Sequence, residues 1–368
     1  RIDLTAFSQK LGDLKAQMAQ VIVGQEEVID LLLTCVLADG HVLIEGVPGV
    51  AKTLMARLLA RLVDARFSRI QFTPDLMPSD VLGTTVYNMK TSDFDFHEGP
   101  AFGDIVLADE INRAPAKTQA ALFEVMEERQ VDIDGVTHRM GPLYTILATQ
   151  NPVEQEGTYR LPEAQLDRFL MKIVMGYPSL DEEVLILERH QRNAAFSRID
   201  DIRPLLTRDE LLQLRTLLHD VVVDASLLRY IAEVVQQTRQ SKAVYLGGSP
   251  RASVAILQTA KAYALLQGRD FMTPDDVKQV APHVLQHRLI LTAEAEMEGY
   301  TPAKVVRELR DDEIQWKSAG TGQYQELAVR SMQTMREVEA LTQVEANRQR
   351  LNFESALPLH LHKNAAAQ

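Results

Sequence analysis

A short glycine-bearing loop holds the residues best suited to bind a phosphate group. The sequence Gly46-Val47-Pro48-Gly49-Val50-Ala51-Lys52-Thr53 follows the apolar run Val42-Leu43-Ile44 and precedes a helical pattern that begins near Leu54. A strand, a glycine-bearing loop and then Lys-Thr at a helix start form the context that a phosphate-binding loop requires. In such a loop Lys52 reaches the terminal phosphate oxygens and the Thr53 hydroxyl ligates Mg²⁺. An ordinary turn that carries glycine and lysine is the alternative, and Ala51 replaces the glycine of the strict pattern.

Two adjacent carboxylates end a second apolar run. Asp109 and Glu110 follow Ile105-Val106-Leu107-Ala108, which has the composition of a buried strand. In a nucleotide hydrolase, Asp109 would hold Mg²⁺ directly or through water, and Glu110 would polarise the attacking water. Paired acids also occur in plain solvated turns, so it is their combination with the loop at Lys52 that predicts nucleotide hydrolysis.

A polar amide ends a third run with strand character. Tyr144-Thr145-Ile146-Leu147-Ala148-Thr149 is followed by Gln150-Asn151-Pro152. Asn-Pro alone is a turn signal. Because this run follows the two acids in chain order, we interpret Asn151 as a residue that contacts the terminal phosphate and orients the water.

Two arginines are candidates for neutralising charge on the transferred phosphoryl group. Arg168 lies in Leu166-Asp167-Arg168-Phe169, on the far side of the predicted α/β unit, and we expect it to act on the nucleotide of a neighbouring subunit. Arg251 follows Gly247-Gly248-Ser249-Pro250 at a helix start, where it could close a second domain over the phosphate. A lone arginine is usually a solvated surface group, so both assignments depend on the fold.

The elements that must position these residues alternate between strands and helices. Four short apolar runs predict strands, and two helical patterns lie between them. This alternation predicts an α/β fold, a P-loop core with a parallel sheet flanked by helices. The strands are Val42–Ile44, Ile70–Phe72, Ile105–Leu107 and Ile146–Ala148, and the helices are Leu54–Val63 and Ala116–Glu128.

Glycine and proline divide the chain into segments. Residues 1–180 contain 12 Gly and 9 Pro, whereas residues 181–300 contain 4 of each. Turn residues are therefore sparse in the second segment, whose amphipathic patterns predict a small all-α domain. We predict an α/β nucleotide-binding domain at 1–180, a helical lid domain at 181–300 and a helical C-terminal extension at 301–368.

The composition restricts location and partners. The 368 residues include 39 basic and 51 acidic side chains, and the whole net charge of −12 falls in residues 1–300. This net negative charge disfavours nonspecific binding to the nucleic-acid backbone and binding to an anionic membrane surface. No run approaches the roughly 20 apolar residues that span a bilayer, and the single Cys35 excludes an intrachain disulfide. We therefore expect a cytoplasmic protein.

The motifs together resemble the AAA+ ATPases, and specifically the MoxR family of the helix-2-insert clade. The resemblance covers about residues 10–305 and includes the phosphate loop, both polar strand ends, Asp167-Arg168-Phe169 and Ser249-Pro250-Arg251-Ala252, all in family order. MoxR proteins share alanine before the lysine, so Ala51 fits the family. The resemblance also places Ile22-Val23-Gly24-Gln25 around the adenine. The implied nucleotide contacts are Val23, Gly24, Gly46, Pro48, Gly49, Val50, Ala51, Lys52, Thr53 and Leu54, with Thr53 and Asp109 holding the metal.

The resemblance implies an activity and an assembly. It implies Mg²⁺-dependent ATP hydrolysis by a homo-oligomer, a hexameric ring, in which ATP lies between the α/β domain and the helical lid and the adjacent subunit supplies Arg168. By the same resemblance the client is another protein. The ATPase would act as a chaperone that matures, activates or inserts a metal cofactor into partner complexes, often with a von Willebrand factor A domain protein.

Two predicted hairpins bear on the identity of the client. Residues Thr84–Glu98 and Gln130–Met140, the second with a strong Asp134-Gly135 turn signal, resemble hairpins that line the central pore of ring relatives. A nucleic-acid motor with such hairpins is one alternative, which the acidic side chains on both hairpins disfavour. A nucleotide-gated assembly scaffold without useful turnover is another, which the presence of Glu110 disfavours.

Overall fold

Strands and helices alternate through the first half of the chain. The computed structural model describes residues 4–47, 51–151, 159, 161–191, 199 and 202–309. The elements of this half are α1 (Leu4–Val21), α2 (Glu26–Leu37), β1 (Val42–Gly46), α3 (Lys52–Leu62), β2 (Phe67–Gln71), α4 (Pro78–Leu82), β3 (Gly83–Asn88), β4 (Asp93–Glu98), β5 (Ile105–Asp109), α5 (Ala116–Glu128), β6 (Gln130–Ile133), β7 (Val136–Arg139), β8 (Thr145–Gln150), α6 (Glu163–Leu166) and β9 (Met171–Met175).

A five-stranded parallel sheet with the order β2-β5-β8-β1-β9 positions the predicted chemistry. Its register pairs Ile44 with Thr149 and Val106 with Ile146. The α/β prediction and the four predicted strands are confirmed. The edge strand β9 was not predicted, because Lys172 interrupts its apolar residues and only alternate side chains of this strand are buried.

Helix α2 lies within the core rather than on its surface. Nine of its 12 residues are buried, including Cys35. Burial raises the pKa of the Cys35 thiol, so the thiol stays protonated and is not a nucleophile at neutral pH. This agrees with the interpretation of the run around Cys35 as core packing.

The two predicted hairpins are present and contact each other. β3 pairs with β4, and β6 pairs with β7 across a turn in which Asp134 has φ 51° and Gly135 has φ 79°. Thr85 Oγ1 donates a hydrogen bond to Asp134 Oδ2, and the rings of Phe96 and His138 lie 4.0 Å apart between centroids. The first hairpin directly follows the short helix α4, so it interrupts the helical segment after β2.

The second half of the chain is mostly helical, as predicted. The core helix α2 packs against a central helix of this half, and two further helices pack beside that central helix. A short antiparallel strand pair also occurs here, which the sequence did not predict. The predicted extension is helical at 302–309, and its remaining residues lie outside the described part of the chain. The elements are α7 (Leu180–Gln191), α8 (Arg208–Leu217), α9 (Ala225–Gln240), β10 (Val244–Leu246), α10 (Pro250–Leu266), which is the central helix, α11 (Pro274–Leu285), β11 (Ile290–Leu291) and α12 (Ala293–Met297).

Candidate active site

Three neighbouring strands bring most of the predicted site residues to one edge of the sheet. β5, β8 and β1 lie side by side and run in the same direction, so their carboxyl ends meet. Gly46 ends β1, Asp109 ends β5, and Asn151 follows β8. Ligands of open parallel sheets bind at this edge, in the crevice outside the carboxyl ends.

Lys52 begins α3 beside the end of β1. Its Nζ donates a hydrogen bond to the Gly46 carbonyl oxygen at 2.9 Å. The preceding residue, Ala51, has φ 60° and ψ 25°, a left-handed conformation that costs alanine about 1–2 kcal/mol and glycine almost nothing. The backbone therefore explains why the strict pattern has glycine before the lysine. Pro48, Gly49 and Val50 of this loop lie outside the described residues.

Asp109 is held at both carboxylate oxygens. It is 9% exposed. Thr149 Oγ1 donates to its Oδ1 at 2.7 Å, and Arg69 Nη2 donates to its Oδ2 at 2.6 Å. A carboxylate that accepts a hydrogen bond from a charged donor and another from a neutral donor has one fixed orientation, here at the end of β5.

Glu110 is fixed by its backbone and by its side chain. It has φ 54° and ψ 50°, again left-handed, and its backbone N–H donates to Thr149 Oγ1 at 2.9 Å. Its Oε2 accepts a hydrogen bond from Arg113 Nη1 at 3.1 Å and a longer one from Gln71 Nε2 at 3.4 Å. The turn after β5 and these contacts therefore fix the Glu110 carboxylate beside the cavity.

Thr149 joins the two acids, and the sequence analysis did not single it out. It is fully buried at the end of β8, where its hydroxyl donates to Asp109 and accepts from the Glu110 backbone N–H. A threonine at the end of an apolar run, two positions before Asn151, was the available signal. Its partner is evident only once β8 is known to lie beside β5.

A cavity of about 580 Å³ lies at this edge of the sheet, within the range of small-molecule sites. Mostly apolar residues from before α2 and around α7 line it together with charged and polar residues from the strand ends and the start of α3. The lining residues are Val21, Ile22, Val23, Gln25, Ala51, Lys52, Thr53, Leu54, Asp109, Glu110, Asn151, Pro178, Ile186 and Arg189.

Gly24 and Gly46 were also predicted to contact nucleotide, but they adjoin the cavity without lining it. Gly24 has φ 69°, and a Cβ atom at this position would lie 2.2 Å from Cδ of Glu182. The left-handed backbone conformation therefore favours glycine, and any larger residue would also have to displace the end of the Glu182 side chain. Gly46 contributes the carbonyl oxygen that accepts the Lys52 hydrogen bond.

The two predicted arginines lie elsewhere. Arg168 donates to the Phe123 carbonyl oxygen and pairs with Glu127 at 2.8 Å, at the end of α5. Arg251 pairs with Asp167 at 3.1 Å and is largely exposed. Neither lines the cavity, so the predicted roles of Arg168 on the nucleotide of a neighbouring subunit and of Arg251 over the phosphate stay predictions.

The cavity residues fit a magnesium nucleotide. The Lys52 ammonium and the start of α3 supply positive potential for phosphate, and Thr53 and Asp109 supply the oxygen ligands that Mg²⁺ prefers. Within the described ranges no group of three or more His, Cys, Asp or Glu side chains could hold a metal ion. A site with few protein ligands suits Mg²⁺, which is usually bound through one or two carboxylates together with phosphate oxygens and water.

Comparison with known proteins agrees with this geometry. Residues 41–171 match the model of the ATPase family associated with various cellular activities (AAA), and residues 236–309 match the AAA lid domain. Chaperone MoxR1 of Mycobacterium tuberculosis is 45% identical over 299 residues, 79% of this chain and 78% of the relative. The protein YeaC of Bacillus subtilis, which is uncharacterised, is 48% identical over 81% of this chain and 92% of its own length.

A solved structure shows the same fold. The crystal structure of a candidate ATPase from Cytophaga hutchinsonii superposes with a TM-score of 0.77 at 39% identity, covering 84% of this chain and 95% of that one. The fold and the site define an AAA+ ATPase. The chain belongs to the MoxR family of these ATPases. Among its described helices, none has the length and apolar character needed to cross a membrane.

Proposed function

We propose that this protein is a Mg²⁺-dependent ATPase whose hydrolysis remodels a client protein. The observation that carries the proposal is the convergence of Lys52, Thr53, Asp109, Glu110 and Asn151 on one cavity. These residues come from three separate parts of the chain, and an accidental turn with glycine and lysine does not assemble such a set. The apolar residues that line the same cavity, such as Ile22, Val23 and Ile186, suit an adenine ring.

Each polar residue has a role that follows from its position. Lys52 and the start of α3 bind the phosphates, while Thr53 and Asp109 hold Mg²⁺. When bound, Mg²⁺ neutralises charge on the phosphate oxygens. Glu110 accepts the proton of the attacking water, and the Asn151 amide orients that water toward the terminal phosphate.

The arginines suit an assembly in which subunits complete one another. Arg168 lies beside Glu127 and Arg251 beside Asp167, both outside the cavity of their own chain. In a hexameric ring with head-to-tail contacts, Arg168 would act on the nucleotide of the adjacent subunit, and Arg251 would close the helical lid over the phosphate. Hydrolysis would then alter the contact between neighbours, and a hinge between the α/β domain (1–180) and the helical lid (181–300) would pass the movement to a client.

The client we propose is a protein complex in the cytoplasm. One relative, MoxR1, is named a chaperone, and maturation or metal-cofactor insertion, with a von Willebrand factor A domain protein as helper, is the role that the family resemblance implies. The hairpins β3–β4 and β6–β7 form the surface that we propose contacts the client. The exposed Asp93 and Asp132 on them disfavour a nucleic-acid client.

Nucleotide affinity tests the assignment of the site. Lys52→Ala should weaken ATP binding at least about tenfold, because it removes charge-assisted hydrogen bonds to phosphate. The matched control is Lys117→Ala, which removes the same charge from the exposed face of α5. Calorimetric titration of both variants with ATP and Mg²⁺ provides the measurement. Equal affinity in the two variants would show that this loop does not bind the phosphates.

A further inference from the structure

Asp109 already binds a cation of its own chain where the proposed function requires a metal. Arg69 lies on β2, the strand next to β5, and the register of the two strands brings this part of β2 alongside the end of β5. Arg69 Nη2 donates to Asp109 Oδ2 at 2.6 Å. Only 12% of the Asp109 side chain is exposed, so the attraction between the two charges is less screened than at an open surface.

Asp109 Oδ2 is the carboxylate oxygen at which a metal ion would compete with Arg69. Asp109 Oδ1 accepts the Thr149 hydroxyl at 2.7 Å, and Thr149 is fully buried, so this side of the carboxylate is fixed by a neutral donor. Oδ2 accepts a hydrogen bond from the positively charged guanidinium of Arg69. A second cation at Oδ2 must therefore displace Arg69 or share the carboxylate with it against charge repulsion.

Arg69 has a position to which it can withdraw. Its side chain is 46% exposed, and the same Nη2 atom also donates to Gln71 Oε1 at 2.7 Å. The side chain can therefore leave Asp109 while keeping water and an exposed amide as partners, and the Thr149 hydroxyl keeps the carboxylate in place.

We propose that Arg69 is a resident counter-cation of Asp109 that competes with Mg²⁺ and thereby sets the magnesium concentration at which the nucleotide site fills. This inference rests on the proposed function and adds to it a residue that tunes metal loading. The competition has two opposite consequences. Without metal, Arg69 neutralises Asp109 and helps the site to accept nucleotide phosphates. With metal present, the same charge weakens the hold of Asp109 on Mg²⁺.

The test is a magnesium titration of nucleotide binding by the full chain. The fluorescence of N-methylanthraniloyl-ADP reports binding, first in EDTA and then at increasing Mg²⁺. Arg69→Gln should bind the probe about threefold more weakly in EDTA, and its half-saturating Mg²⁺ concentration should fall about fivefold, the lower end of ordinary coupling between sites. Arg69→Lys keeps the charge and should stay close to the parent protein in both measurements.

Arg66→Gln is the matched control. Arg66 precedes β2, and its guanidinium lies 3.7 Å from Glu98 rather than beside the cavity. It should leave both values unchanged. Arg69→Met, which keeps the aliphatic stem without the charge, replaces Arg69→Gln in the same titration if the glutamine variant does not fold.

The sign of the effect decides the outcome. An unchanged or increased half-saturating Mg²⁺ concentration in Arg69→Gln would overturn the inference, because Arg69 would then merely orient Asp109. If the parent protein does not bind the probe at any Mg²⁺ concentration, the proposed function fails and this inference fails with it. Binding by the parent without the predicted shift in the variants removes the inference alone.

Discussion

Two clusters of charged and polar residues differ in whether a single chain brings their members to the nucleotide cavity. The cavity cluster, Lys52, Thr53, Asp109, Glu110 and Asn151, lines one cavity at the carboxyl ends of the parallel strands. The arginine cluster joins Arg251 and Arg288 to Asp167, with Arg168 next to it along the chain, and none of these side chains lines that cavity. The residues that we propose to bind phosphate and activate water are therefore brought together within one chain. The arginines that would neutralise the reacting phosphate are not.

The largest effect should come from the cavity cluster. Glu110→Gln removes the proton acceptor but keeps the size of the side chain, so the ATPase rate constant should fall about 10³-fold, within the usual range for loss of a general base. ATP affinity should not change. Steady-state turnover and equilibrium binding, with Glu163→Gln as a surface control, provide the measurements. Normal turnover in Glu110→Gln would remove Glu110 from the mechanism and favour the nucleotide-gated scaffold.

A smaller effect on folding should come from the arginine cluster. Arg288 is 5% exposed, and its Nε donates to Asp167 Oδ1 at 2.8 Å. Asp167→Asn leaves this buried guanidinium without its counter-charge and should lower the free energy of unfolding by about 2 kcal/mol, with ATP affinity unchanged. Urea unfolding provides the measurement. The control Asp275→Asn breaks an exposed pair with Lys278 and should change little. Equal stability of the two variants would contradict the structural role of Asp167.

The free energy of unfolding should depend on pH through His287, which lies beside Arg288 of the arginine cluster. His287 donates from Nε2 to the Phe169 carbonyl oxygen at 2.9 Å, and burial, followed by the charge of Arg288, lowers its pKa well below 6.5. The unfolded chain therefore binds a proton below pH 6.5 that the folded chain does not bind. The free energy of unfolding should decrease as the pH falls below 6.5, by up to about 1.4 kcal/mol per pH unit for this group.

His287→Gln should reduce that slope, measured by urea unfolding between pH 7 and pH 5. Buried His41, whose pKa is lowered to about 4, and His283 act with the same sign, so the slope should become shallower without vanishing. An unchanged slope in His287→Gln would show that folding does not lower the pKa of His287.

Local patterns were sufficient to predict the cavity cluster. Asp109 and Glu110 directly follow an apolar run, Asn151 follows another after two polar residues, and Lys52 and Thr53 follow a third across the glycine-bearing loop. These runs predicted β1, β5 and β8. Parallel strands then bring their ends to one edge, whatever their order. The fold class and the family could be predicted for the same reason, because both depend on residues whose order along the chain is visible.

The contacts between elements could not be predicted in the same way. The hydrogen bond of Thr149 to Asp109 and the ion pair of Arg69 with Asp109 both depend on the order β2-β5-β8, which no local pattern specifies. The position of Arg251 depends on how the helical region packs against the α/β core. The sequence suggested that Arg251 could close the second domain over the phosphate, and its ion pair with Asp167 in the structure was not predicted.

A mixing experiment tests most directly whether the two clusters of different subunits form one active site. Arg168→Ala and Glu110→Gln, carrying different affinity tags, are mixed, and assemblies that contain both are isolated before ATPase measurement. Each variant alone should be nearly inactive. Mixed assemblies should regain about a quarter of the parent activity, because random head-to-tail contacts pair an intact Glu110 with an intact Arg168 at that frequency. Mixed assemblies without recovered turnover, or full activity of Arg168→Ala alone, would contradict the account.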